Sequence, residues 1–213
     1  GTLTINGAVN GLTPGHTYYV DSADGASGND GLSWSTAKAT LTQALALCAA
    51  NEGDVVYLAE GHVETVSAAG GINVNVAGVM IIGMGTGSTR PAFTFTAAAA
   101  TFLITANDVS IYNILGLEGA ALNSLASAFV ISGADCRLDM EWHDADATHE
   151  AVLAVLTTAT ADRLTLNLRY EGFAAGAVNV AAVRLVGCDS GTLNIHFYCH
   201  ATTAVVQLST TLS

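Results

Sequence analysis

The chain has 213 residues, 51% of them apolar and only 11% charged, and its net charge is −12, with eighteen acids against one lysine and five arginines. That content is too apolar for a disordered chain, yet no window approaches about 18 unbroken apolar residues, so no membrane span is expected. A surface this acidic repels phosphate backbones and argues against a nucleic-acid partner.

The length suits one domain, 1–213, able to bury roughly 70% of the surface its unfolded form exposes. Its opening residues do not show the basic, apolar, small-residue pattern of a secretion leader, which gives no support to an expectation of secretion. Cys48, Cys136, Cys188 and Cys199 show no CxxC spacing. Free thiols are expected rather than disulfides or a zinc site, with Cys136 and Cys199 at inward strand positions.

Residues 2–20 are expected to form two short strands, Thr2–Ile5 and Thr17–Val20, joined by a Gly/Pro turn. A loop dense in Asp, Gly, Ser and Asn follows. Its Asp21, Asp24, Asn29 and Asp30 offer hard oxygen ligands that calcium prefers, but without the spacing of an EF-hand. The same residue types serve left-handed positions and Asx turns, and a plain structured loop is the reading favoured here. Thr40 to Ala50 is the predicted helix. Thr40 and Gln43 form a capping-box pair, Leu41, Ala44, Leu45 and Cys48 share a face, and Gly53 can end it. Placed before a stack of strands, such a helix covers an edge that would otherwise invite aggregation.

Asp54–His62 (DVVYLAEGH) then gives a strand and a turn. Together, YYVDSADGASGNDGLSWSTAKATLTQALALCAANEGDVVYLAEGHV, within residues 18–64, resembles the opening segment of pectate-lyase-like right-handed β-helix proteins. The resemblance rests on the Tyr-Val-Asp strand, the Gly/Asn loop, the Trp-Ser-Thr step, the Ala/Leu helix and the Gly-Asp-x-Val-x-Leu strand. It implies a right-handed β-helix, and it is most like the non-enzymatic phage virion members. It does not fix an activity, because lyases, hydrolases and silent phage proteins share this segment.

The later chain repeats. Asp108, Asp135, Asp162 and Asp189 stand 27 residues apart, each between two short apolar runs. Units of that size cannot bury their own apolar faces and must stack. Alternation within the runs points Cys136, Leu138, Met140 and Trp142 inward, then Leu164, Leu166, Leu168 and Tyr170, then Leu193, Ile195, Phe197 and Cys199. The outward sets read Arg137, Asp139, Glu141, His143, then Thr165, Asn167, Arg169, Glu171, then Thr192, Asn194, His196, Tyr198, His200. Aligning the inward sets requires a one-residue slip between the second and third Asp, which brings Glu141 opposite Arg169. The closing ATTAVVQLSTTLS carries no charged or helical cap, so a sister chain or neighbour is expected over the last coil.

Three groups are candidates for chemistry. The Asp ladder could place carboxylates about 5 Å apart, as retaining glycosidases require. Its strict periodicity instead favours a turn role, each side chain accepting a backbone N–H. The run from Glu141 to Glu150, with His143, Asp144, Asp146 and His149, could hold a divalent metal. Without Gly-fixed geometry, it reads better as a solvated acidic loop. The third group is the outward face of Asp139, Glu141, Arg169 and His196. An enzyme of the resembling superfamily would keep its catalytic groups there, with Arg169 as base. On the structural reading the same face, Arg137, Asp139, Glu141, Arg169, His196 and Tyr198, is an interface.

The expectation is an all-β chain: a single right-handed parallel β-helix of about six coils. Residues 1–53 supply strands, loop and a capping α-helix, and 54–213 the coils. The expected role is a structural virion protein of a tailed bacteriophage on the capsid or tail surface. It would be a decoration (cement) protein or short spike module, trimeric and in contact with proteins such as the major capsid protein. The alternative is a carbohydrate-active β-helix, a polysaccharide lyase or glycoside hydrolase. No cofactor is required, with calcium at Asp21, Asp24 and Asp30 as the weaker option.

Overall fold

A computed structural model describes residues 15–119, 122, 124–146, 150–172, 180–198 and 203–209. The expected strand Thr2–Ile5, His149, Cys199 and His200 lie outside these residues. The chain winds as an all-β, right-handed parallel β-helix, the hand that parallel crossovers take. Fifteen strands follow in order: β1 Thr17–Val20, β2 Val55–Leu58, β3 Val63–Val66, β4 Ile72–Val74, β5 Met80–Gly83, β6 Ala92–Phe95, β7 Phe102–Ile104 and β8 Ser110–Glu118. After them come β9 Phe129–Ile131, β10 Arg137–His143, β11 Leu153–Thr157, β12 Thr165–Glu171, β13 Ala181–Val186, β14 Thr192–Tyr198 and β15 Val206–Ser209.

All pairings between these strands are parallel. One sheet runs β1-β2-β5-β8-β10-β12-β14, with β3 and β6 branching onto the far half of β8. The opposite sheet runs β4-β7-β9-β11-β13-β15, one strand per coil. Period-two alternation sends the apolar set of each strand into the space between them. Leu138, Trp142, Leu166 and Tyr170 are fully buried, and Cys136, Met140, Leu164 and Leu168 nearly so. Aromatic rings fill the middle: Phe95, Phe129 and Trp142 pack on one another and Phe102 on Phe129, with centroids 5.0–6.5 Å apart. On β14 the inward set Leu193, Ile195 and Phe197 is only half buried.

The helix is shorter than the sequence predicts. It spans Leu41–Leu45, with Thr40 accepting the Gln43 N–H at 3.3 Å as the predicted cap. Leu41, Ala44 and Leu45 are buried against β1, β2 and β4. Past Leu45 the buried carboxylate of Asp54 takes the backbone N–H groups of Ala49 (2.7 Å) and His16 (2.6 Å), which draws the chain out of helical geometry and into the first coil.

One turn recurs before β2, β5, β8, β10, β12 and β14. Asn51, Gly78, Asp108, Asp135, Arg163 and Ser190 all have φ between 55° and 74°. The N–H of each of the first five donates to the carbonyl just before the equivalent residue of the next coil, at 2.8–3.1 Å. The four periodic acids therefore do not form one column. Asp108 and Asp135 are themselves the left-handed residues, whereas Asp162 and Asp189 precede them. The slip is visible in the sheet: Arg137 pairs with Thr165, and Thr165 with Thr192. Asn107 and Asp162 occupy the position before the turn and accept N–H groups one coil on, from Ala134 (2.9 Å) and Asp189 (3.1 Å). Asp135 instead bonds the Arg163 guanidinium through both oxygens.

Candidate functional site

The outward face of β10, β12 and β14 is a grid whose columns follow from the register. Asp139, Asn167 and Asn194 share one column, Glu141, Arg169 and His196 the next, and His143, Glu171 and Tyr198 a third. The slip needed to align the inward sets is thus the one the sheet adopts. Arg137, Asp139, Glu141, Arg169, His196 and Tyr198 all lie on this face.

A groove of about 250 Å³ opens over Asp139, Glu141, Arg169 and His196. Its wall comes from an earlier coil. Between Ile111 and Ile114, β8 places two residues, Tyr112 and Asn113, against the single Asp139 of β10, a β-bulge. Asn113 sits at φ 58°, a conformation Asn tolerates better than most residues. Its amide donates to the carbonyls of Gly83 (2.8 Å) and Gly85 (3.0 Å), and its oxygen accepts from Arg90 Nε at 2.8 Å. The chain passes so close that a Cβ on Gly83 would lie 2.2 Å from the Asn113 carbonyl oxygen. Arg90, held there, sends its other arm to Glu141 Oε2. Neither Arg90 nor Asn113 carries a periodic signal, and sequence reasoning missed both.

Glu141 is only 13% exposed and is the hub of the face. Its Oε1 lies 2.6 Å from His143 Nε2 and 3.9 Å from Arg169 Nε. Burial pushes its carboxyl up, but hydrogen bonds and charge from Arg90 and His143 outweigh that and hold it below the usual carboxylate range. Arg169 bonds Glu171 and lies 5.6 Å from the Tyr198 ring centroid. The Glu171 bond, with the charges of Glu141 and Glu171, fastens the proton on Arg169 more firmly than usual. His143 Nε2 also lies 3.3 Å from Glu171 Oε2.

At the two ends of the run after Trp142, Asp144 and Glu150 are buried rather than solvated as expected from composition, and Asp144 closes a polar knot. Its Oδ1 accepts from Trp142 Nε1 at 2.8 Å and from the Ala151 N–H at 3.1 Å, and its Oδ2 from the Tyr170 hydroxyl at 2.7 Å. Burial nevertheless raises it to about 6. Glu118, at the same end of the sheet, is pushed up to about 8 by burial, with the charge of Asp144 adding to it.

In the loop 21–30, Asp21 and Asp30 each accept the N–H two residues on, at 2.8 and 3.0 Å, and Asn29 donates to the Ala37 carbonyl. The two aspartate contacts are Asx turns. Among the described residues, Cys48, Cys136 and Cys188 are free thiols, and burial pushes Cys48 up to about 12.

No family model matches the chain, and no curated protein matches it. Among solved structures, a rhamnogalacturonan lyase is similar at 14% identity with a TM-score of 0.45, over 86% of this chain and 62% of that one. The chain spans about 62% of that lyase's length, and a likeness this distant carries nothing about activity. What the strands themselves establish is the architecture: this is a parallel β-helix whose β10–β12–β14 face is polar and grooved.

Proposed function

We propose that this protein is a non-catalytic structural β-helix of a tailed-bacteriophage virion, a capsid decoration (cement) protein or short spike module, assembled as a trimer. The observation that carries the non-catalytic part is the bracing of Glu141 by Arg90 and of Arg169 by Glu171. A general acid needs its proton near the working pH, and a base must be able to lose one. Glu141 is biased toward the ionised form and Arg169 toward the protonated form, which opposes a general-acid role for the first and a general-base role for the second. The virion part draws on the stiff stacked body, on an acidity that keeps such a protein off a packaged genome, and on the resemblance of residues 18–64 to phage β-helices. In that setting the face around Arg137, Asp139, Glu141, Arg169, His196 and Tyr198 is the contact surface.

A second reading, a lyase or hydrolase of an acidic polysaccharide, draws on the groove itself, which Asp139 and His196 line. Solution size, binding to phage heads lacking the protein and turnover of polysaccharides separate the two. A stable trimer that binds such heads and turns over nothing is the expected result. Polysaccharide cleavage that vanishes in Glu141→Gln or Arg169→Ala would overturn it.

A further inference from the structure

Three donor atoms on the outward face, two carboxylate oxygens and one imidazole nitrogen, converge at one point. Alternation along β10 puts Glu141 and His143 on one side, and the register sets Glu171 directly across from His143 on β12. One oxygen of each carboxylate is taken by an arginine, Glu141 Oε2 by Arg90 and Glu171 Oε1 by Arg169. The remaining oxygens both turn to the same nitrogen: His143 Nε2 lies 2.6 Å from Glu141 Oε1 and 3.3 Å from Glu171 Oε2. The three ligand atoms all fall within 4.8 Å of one another.

We infer that Glu141, His143 and Glu171 form a binding site for a borderline divalent cation of the zinc type, clamping β10 to β12. Zinc bonds of about 2.0–2.1 Å in a tetrahedron set neighbouring ligand atoms roughly 3.3 Å apart. The His143–Glu171 distance already meets that value. The His143–Glu141 distance must open by about 0.7 Å, within reach of a side-chain rotation of His143, which is one-third exposed. One imidazole with two carboxylates suits zinc or a neighbouring first-row ion better than calcium, which takes oxygen alone and in larger number. The metal takes the place of the proton on Nε2, the imidazole keeps its proton on Nδ1, and water fills the fourth position. The two arginines act as outer partners: they orient the carboxylates, as second-shell groups at metal sites do, and their charge weakens the site relative to an all-acid one. The inference goes beyond the virion reading and does not depend on it.

Zinc chloride titrated into the intact chain by calorimetry, with calcium chloride in a parallel series, tests it. One zinc per chain is expected, with calcium binding at least tenfold weaker. His143→Ala and Glu171→Gln should each lower zinc affinity by tenfold or more. Circular dichroism of each variant separates loss of the site from loss of the fold, and Glu171, on the surface, is the variant expected to fold unchanged. Absence of zinc binding would overturn the inference. So would zinc affinity that survives in folded His143→Ala or Glu171→Gln, or that is lost instead in His196→Ala.

Discussion

Among individual side chains, the buried acids decide how the protein responds to pH. Glu118 and Asp144 are raised to about 8 and about 6 from ordinary values of 4.5 and 3.8, so the folded chain holds protons that the unfolded chain has released. Stability therefore falls as pH rises, first between 3.8 and 6 through Asp144, then between 4.5 and 8 through Glu118. Glu141 works the other way: its lowered value adds stability above its ordinary 4.5, which is lost as pH falls below it. Melting temperature against pH should accordingly decline from about pH 5 to 8, and Glu118→Gln should flatten the upper part of that decline. Asp144→Ala is expected to cost about 2–4 kcal/mol, since it strands the Trp142 and Tyr170 donors inside the stack. Urea denaturation of the variant measures it. The sequence concealed this knot: read as composition, the run from Glu141 to Glu150 is a polar loop. Only the inward phase of Trp142, continued two residues to Asp144, could have indicated otherwise.

Within single strands and turns, the fold was legible wherever side chains alternate and obscure wherever the backbone breaks step. The inward sets on β10 and β12, the slip that aligns them and the pairing of Glu141 with Arg169 were all readable from period two. The bulge at Asn113 was not, because one extra residue leaves no composition signal, and with it Arg90 and the wall of the groove were missed. Asn113→Ala removes the bond to Arg90 and two bonds to backbone carbonyls while keeping a strained φ. A loss of about 2–3 kcal/mol is expected, measured by urea denaturation. The left-handed column makes a sharper prediction. Asp108→Val should destabilise by about 1–2 kcal/mol, whereas Asp108→Gly should be close to neutral, because only the former pits a branched Cβ against φ 56°. Melting temperatures of the two variants, side by side, check this.

Taken as one body, the stack is quasi-one-dimensional, and each rung is stabilised by its two neighbours. The rungs on β10 and β12 are sealed on both sides, while the inward residues of β14 remain half buried. Amide hydrogen exchange should rank accordingly, with β10 and β12 exchanging slowest and β14 earliest. The recurring left-handed turn has one more consequence. Since successive coils join by the same N–H to carbonyl link, the rod has no intrinsic length, and a whole coil is an exchangeable part. Duplicating residues 165–191, one full period, should yield a longer rod with unchanged circular dichroism per residue and a higher unfolding midpoint. Doubling a coil across Asn113 would part Arg90 from Glu141 and should not be tolerated in the same way.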